Sequence, residues 1–77
     1  METLLNKLSP STHAKVKRIE GSGHLRKKLL DMGIVPGSQL QVIKLAPLGD
    51  PIEVKVRGYH LSLRKEEARY VLVEVIS

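Results

Sequence analysis

The chain has 77 residues, a hydrophobic fraction of 42% and a formal net charge of +5. Because it has no cysteine, it can form neither disulfides nor cysteine-ligated zinc or iron–sulfur sites. It has no run of the roughly 20 apolar residues that span a bilayer, and its positive charge favours either acidic partners or plain solubility.

The first predicted elements are a short helical turn and a strand. Leucines at helical spacing within residues 3–8 indicate at most one helical turn, which the segment 9–11, centred on a proline, brings to an end. Residues 13–20 alternate apolar and basic side chains, as a strand does. Ile19 breaks the alternation, so we expect this strand to end or bend there.

A helix of about ten residues is predicted next. Leu25, Leu29 and Met32 lie at i, i+4 and i+7 and so form one apolar stripe. Ser22 is suited to the N-cap position. Gly33 is the residue type that ends helices, so the helix is expected to stop there.

A turn and a second strand are predicted after the helix. Residues 35–38 read Val-Pro-Gly-Ser, with proline and glycine where a type II turn requires them. Residues 39–46 have strand character, but the apolar side changes after Val42. Such a change predicts a β-bulge or a sharp coil.

The C-terminal half predicts a hairpin, a helical turn and a last strand. In residues 51–63, apolar side chains alternate with polar ones both before and after Arg57-Gly58, and this dipeptide is expected to form a tight reversal of the chain. Residues 64–68 form one helical turn, and residues 70–76 form the last strand. The predicted fold is therefore one mainly β domain over residues 1–77, a five-stranded SH3-like barrel with one helix between its first and second strands.

No pattern of catalytic residues is apparent in the sequence. The histidines, His13, His24 and His60, are far apart in the chain. Glu66 and Glu67 are adjacent, and neighbouring helical residues do not face each other. The Gly-Ser-Gly segment before the helix matches phosphate-binding loops poorly. We therefore expect neither an enzyme nor a bound cofactor or metal.

Four short motifs resemble a known family. They are Leu-Leu-Asp-Met-Gly-Ile-Val-Pro-Gly (29–37), Ala-Pro-Leu-Gly-Asp-Pro (46–51), Val-Arg-Gly-Tyr-His-Leu-Ser-Leu-Arg (56–64) and Lys-Glu-Glu-Ala (65–68). In this order and spacing they resemble the FeoA family, small proteins of bacterial ferrous iron uptake. The resemblance implies an SH3-like barrel and a non-catalytic partner of FeoB, a membrane Fe²⁺ transporter with a GTPase domain.

The resemblance also suggests where a partner would bind. An apolar cleft beside the helix would hold the side chains that anchor a partner segment. Basic side chains would attract an acidic surface of the partner. The turn stiffened by Pro47 and Pro51 would hold the side chains of Leu48 and Asp50 in one arrangement. The alternative interpretation is that the anchor residues serve only to pack the barrel and that the turn residues serve only to form the turn. The candidate partner-binding residues are Arg26, Leu30, Met32, Ile34, Leu48, Asp50, Arg57 and Arg64.

The implied location is the cytoplasm, with recruitment by the partner to the inner face of the membrane but no direct insertion into it. Weak self-association through an exposed edge strand remains open.

One alternative function is that of a nucleic-acid-binding barrel. The acidic residues interspersed among the basic ones argue against it, and so does the small number of aromatic residues, which are two tyrosines. Another is an Fe²⁺ sensor that uses the histidines with Asp31 or Asp50.

Overall fold

The computed structural model describes all 77 residues as six strands, two helices and one 3₁₀ turn. Neither helix has the length and apolarity that crossing a bilayer would require. In chain order the elements are β1 (Glu2–Leu4), the 3₁₀ turn (Leu5–Lys7), β2 (His13–Ile19), α1 (Gly23–Asp31), β3 (Gln39–Leu45), β4 (Ile52–Val56), β5 (Tyr59–Leu63), α2 (Lys65–Ala68) and β6 (Val71–Val75).

The strands form one antiparallel sheet in the order β1-β6-β2-β3-β4-β5. Two bulges interrupt it, between Val16 and Arg18 on β2 and between Val42 and Lys44 on β3. A bulge adds a residue to one strand and increases the local twist, so the sheet curls. The bulge on β3 confirms the one predicted from the change of apolar side after Val42.

The elements that follow the two edge strands help to close the barrel. The 3₁₀ turn follows β1, α2 follows β5, and these two short elements contact each other. The barrel encloses one hydrophobic core of 16 buried side chains, which come from β2 to β6, both helices, the 3₁₀ turn and two loops. The predicted mainly β barrel with one longer helix is therefore confirmed.

The N-terminus differs from the sequence prediction. Glu2–Leu4 form a sixth strand, where only a helical turn was expected, and the turn is limited to the 3₁₀ residues that follow. β1 pairs with β6, and the Val75 N–H donates to the Met1 carbonyl at 2.9 Å. Short segments take the conformation that gives their backbone groups a partner, and here that partner is the edge of β6.

Helix α1 begins and ends close to the predicted residues. Ser22 is the N-cap residue with extended backbone, but its side chain makes no capping hydrogen bond. Leu29 is buried, and Leu25 and Met32 are partly buried against the core, as the stripe predicted. The helix therefore packs one face on the barrel and leaves its basic face in solvent.

Candidate docking surface

The C-terminal end of α1 forms a Schellman motif. The residues that form it belong to the first of the four sequence motifs, residues 29–37. The Gly33 N–H donates to the Leu30 carbonyl, and the Ile34 N–H donates to the Leu29 carbonyl, both at 3.0 Å. Gly33 has φ +96°, the left-handed conformation that this motif requires. Leu29 and Ile34 are both fully buried, as the apolar contact that accompanies the motif demands.

This geometry corrects one predicted anchor. Ile34 has 0% exposure and belongs to the core, so it is not available to a partner. The signal was present in the sequence, because an apolar residue directly after a helix-ending glycine packs back onto the last turn. Leu30 and Met32, the other two apolar candidates, are partly buried and pack against the core.

The end of α1 is also tied to the β4–β5 hairpin. The Tyr59 hydroxyl donates to the Met32 carbonyl at 2.9 Å. A Cβ on Gly33 would overlap that hydroxyl, so the position needs glycine for space as well as for conformation. The first and third motifs are therefore in direct contact, which sequence reasoning did not foresee.

The Ala46–Pro51 loop is held at both ends. The Gly49 N–H donates to the Ala46 carbonyl at 2.7 Å, and Gly49 has the expected positive φ of +83°. Asp50 Oδ1 accepts the Lys65 N–H at 3.0 Å, so Asp50 satisfies a free donor at the start of α2 rather than its own turn. The loop presents Leu48 at its tip, 94% exposed.

The basic candidates differ in their surroundings. Arg26 Nη1 donates to the Ile19 carbonyl at 3.3 Å, which holds its side chain near β2. Arg57 is exposed in the β4–β5 turn with φ +52°. Arg64 is exposed and is the N-cap residue of α2. The three side chains therefore start from three different parts of the fold, namely α1, the β4–β5 turn and the residue before α2.

A surface groove lies away from the expected cleft beside α1. It has a volume of about 270 Å³ and crosses β2, β3 and the end of β4. Its polar lining consists of His13, Gln39, Gln41, Lys55 and Arg57. The alternation of β4 could have indicated that Lys55 faces outward, but the residues beside it on the neighbouring strands could not be known without the register.

The histidines do not converge. His13 lines the groove, His24 lies on α1, and His60 Nδ1 is 3.0 Å from Glu53 Oε2 on the neighbouring strand. No group of three or more histidine, aspartate or glutamate side chains is arranged to hold a metal ion. The two adjacent glutamates also point to different partners, since Glu66 pairs with Arg69 and Glu67 pairs with Lys28.

Comparison with known proteins identifies the family. A family model described as the FeoA domain matches residues 3–75. The chain belongs to the FeoA family. This confirms the resemblance carried by the four motifs, and the contacts among those motifs account for several of their residues in structural terms.

A curated relative joins an FeoA region to a transporter. The chain is 41% identical, over 73 residues, to the Fe(2+) transport protein A/Fe(2+) transporter FeoB fusion protein of Porphyromonas gingivalis. The match covers 95% of this chain but 9% of that protein. The chain therefore corresponds to one small part of this relative.

Two solved structures share the fold over nearly the whole chain. The FeoA-like protein from Clostridium acetobutylicum is 43% identical with a TM-score of 0.92, covering 99% of this chain and 88% of that one. A zinc complex of FeoA from Stenotrophomonas maltophilia, a prokaryotic SH3 domain protein, is 26% identical with a TM-score of 0.82, covering 94% and 89%. These likenesses confirm the SH3-like barrel predicted from the strand pattern.

Proposed function

We propose that this FeoA-family chain is a non-catalytic accessory protein of ferrous iron uptake that docks on a FeoB-type membrane transporter. The observation that carries the proposal is the fusion in Porphyromonas gingivalis, where an FeoA region and the transporter FeoB share one polypeptide. Fusion keeps two partners at high effective concentration, which is useful when they act together. In this chain the same association would be made by contact in the cytoplasm, at the inner face of the membrane.

The docking surface we propose is centred on Leu48. This side chain is 94% exposed at the tip of a loop whose shape is held by backbone hydrogen bonds and by the Asp50–Lys65 contact. Binding costs less free energy when the contacting segment is already ordered. Leu30 and Met32 would add partly exposed apolar surface near α1, while Arg26, Arg57 and Arg64 would steer the chain toward acidic partner surface.

Substitution of Leu48 tests this surface. We expect Leu48→Glu to weaken capture of the FeoB protein of the same organism by about 10-fold, because an exposed anchor would be replaced by a charge. The measurement is a pull-down against detergent-solubilised FeoB with and without guanine nucleotide. Circular dichroism should show an unchanged fold, since the side chain has almost no contacts to lose.

The matched control is Ile76→Glu, which makes the same kind of change at a residue 51% exposed near the C-terminus. This variant should be captured as well as the unmodified chain. Equal capture of the Leu48→Glu variant would remove Leu48 from the docking surface. Failure of the unmodified chain to capture FeoB in either nucleotide state would contradict the proposed function itself.

Self-association remains a separate proposal. The edge strands β1 and β5 each pair on one side, and an unpaired strand edge is a template for pairing with a second copy. Sedimentation equilibrium over a concentration series would measure it. A single monomeric species at the highest concentration would rule out the weak homo-oligomer.

A further inference from the structure

The groove on the sheet has a lining set by strand register. His13 on β2 is the partner of Gln41 on β3, and Gln41 is the partner of Lys55 on β4. Three strands therefore place polar side chains side by side on the outer face of the barrel. Leu40 is the one hydrophobic residue of the lining, and it is itself 3% exposed.

The charge of the groove is positive and uncompensated. Lys55 and Arg57 are exposed and make no ion pair, and no acidic side chain lines the groove. Glu53, the acid nearest along β4, is already engaged by Lys44 and His60 from the two flanking strands. Lys55 and Arg57 are therefore two unpaired cations that line the same groove, where together they attract an anion.

The spacing of the polar groups matches an extended chain. Gln39 and Gln41 are two residues apart within β3, so their Cα atoms are separated by about 6.6 Å. Alternate side chains of an extended peptide repeat at the same distance. The two glutamine side chains offer amide groups that both donate to and accept from a peptide backbone. Arg57 lies in the β4–β5 turn with φ +52°, so its side chain does not continue the alternation of β4.

The lining favours a peptide over a nucleic acid. No aromatic side chain lines the groove, whereas single-stranded nucleic acid is held largely by bases stacked on aromatic rings. Tyr59 is close in sequence, but its hydroxyl is bonded to the Met32 carbonyl at the end of α1. The groove therefore offers cations and amides but no stacking platform.

We propose that this groove binds an acidic peptide segment in extended conformation, with its carboxylates facing Lys55 and Arg57. The amides of Gln39 and Gln41 would hydrogen-bond the backbone of the bound segment. The inference does not depend on the proposed role at FeoB, because it concerns the chemistry of the groove and can be tested with a synthetic peptide.

The test is fluorescence anisotropy with a short labelled peptide in which glutamate and serine alternate. We expect saturable binding that is weakened about 10-fold by the double substitution Lys55→Glu and Arg57→Glu, because attraction is replaced by repulsion at both cations. The control is Lys7→Glu with Lys65→Glu, two exposed lysines outside the groove whose substitution changes the net charge equally. It should reduce affinity far less.

A second peptide tests the role of the carboxylates. A peptide with glutamine in place of each glutamate has the same length but no negative side chains, and it should bind at least about 10-fold more weakly. Equal affinity for both peptides would show that the carboxylates are not recognised and would overturn the proposal. Equal loss in the two double variants would overturn it in favour of non-specific charge attraction. Tighter binding of a single-stranded oligonucleotide than of the alternating peptide would overturn it in favour of nucleic acid.

Discussion

Gly33 combines two constraints in one residue. Its φ of +96° favours glycine on conformational grounds, and the Tyr59 hydroxyl occupies the space that a Cβ would need. Gly37 has a similar φ of +91° but open space around it. The pair therefore separates the cost of backbone conformation from the cost of crowding.

We expect Gly33→Ala to lower the free energy of unfolding by about 2 kcal/mol and Gly37→Ala by about 1 kcal/mol. The conformational cost is common to both, while alanine at 33 also displaces the Tyr59 hydroxyl from Met32 and loses a hydrogen bond. Urea unfolding measures both values. In a Tyr59→Phe background, Gly33→Ala should cost about 1 kcal/mol, and an unchanged cost there would contradict the crowding argument.

At the scale of elements, Glu67 joins the two helices. One carboxylate oxygen accepts from the Lys28 ammonium on α1, and the other accepts the Arg64 N–H at the start of α2 at 3.0 Å. The hydrogen bond from Lys28 lowers the pKa of Glu67 most; partial burial opposes it, and the Arg64 N–H adds to the lowering. The ionised carboxylate is therefore the form that the folded chain prefers.

This preference predicts how stability depends on pH. A carboxyl group with a lowered pKa in the folded state stabilises the fold above its usual value of 4.5 and loses that contribution as pH falls through the folded value. We expect Glu67→Gln to be about 1 kcal/mol less stable than the unmodified chain at neutral pH. The difference should vanish at low pH, where both side chains are uncharged.

Urea unfolding from neutral pH to about pH 3 measures the difference. Glu66→Gln is the matched control, because Glu66 is 76% exposed and pairs with Arg69 on the surface. It should change stability much less at any pH. A stability difference for Glu67→Gln that grows on acidification would mean that the Lys28 contact does not favour the ionised form.

At the scale of the whole molecule, the core predicts one cooperative unit. The 16 buried side chains form one cluster that includes residues of both helices and of five strands. Opening any part of such a cluster exposes apolar surface in the rest. We therefore expect residues 1–77 to unfold as a single domain, with one transition rather than separate steps.

Val54→Ala tests this expectation at the centre of the core. Val54 has 0% exposure and lies on β4 between β3 and β5, so its truncation should lower the free energy of unfolding by about 2 kcal/mol. Tyrosine fluorescence and far-ultraviolet circular dichroism should give the same urea midpoint for this variant, and that midpoint should be lower than that of the unmodified chain. Val35→Ala, at a half-buried position, should shift it less; midpoints that separate would contradict a single unit.

The amino-acid sequence by itself determined the local structure of this protein. The end of α1 at Gly33, the Arg57-Gly58 reversal and the bulge after Val42 all follow from the conformational preferences of residues close in the chain. The four motifs were sufficient to indicate the family. The N-terminal strand was missed, because three residues carry too little periodicity and β1 depends on β6 for its hydrogen bonds.

Tertiary structure alone decided which distant residues meet. The contacts of Tyr59 with Met32, of Lys28 with Glu67 and of Asp50 with Lys65 link parts of the chain that are 15 to 39 residues apart. The groove likewise exists only because register places His13 beside Gln41 and Gln41 beside Lys55. Register and curvature arise when the whole barrel closes around its core, so no local pattern in the sequence could specify them.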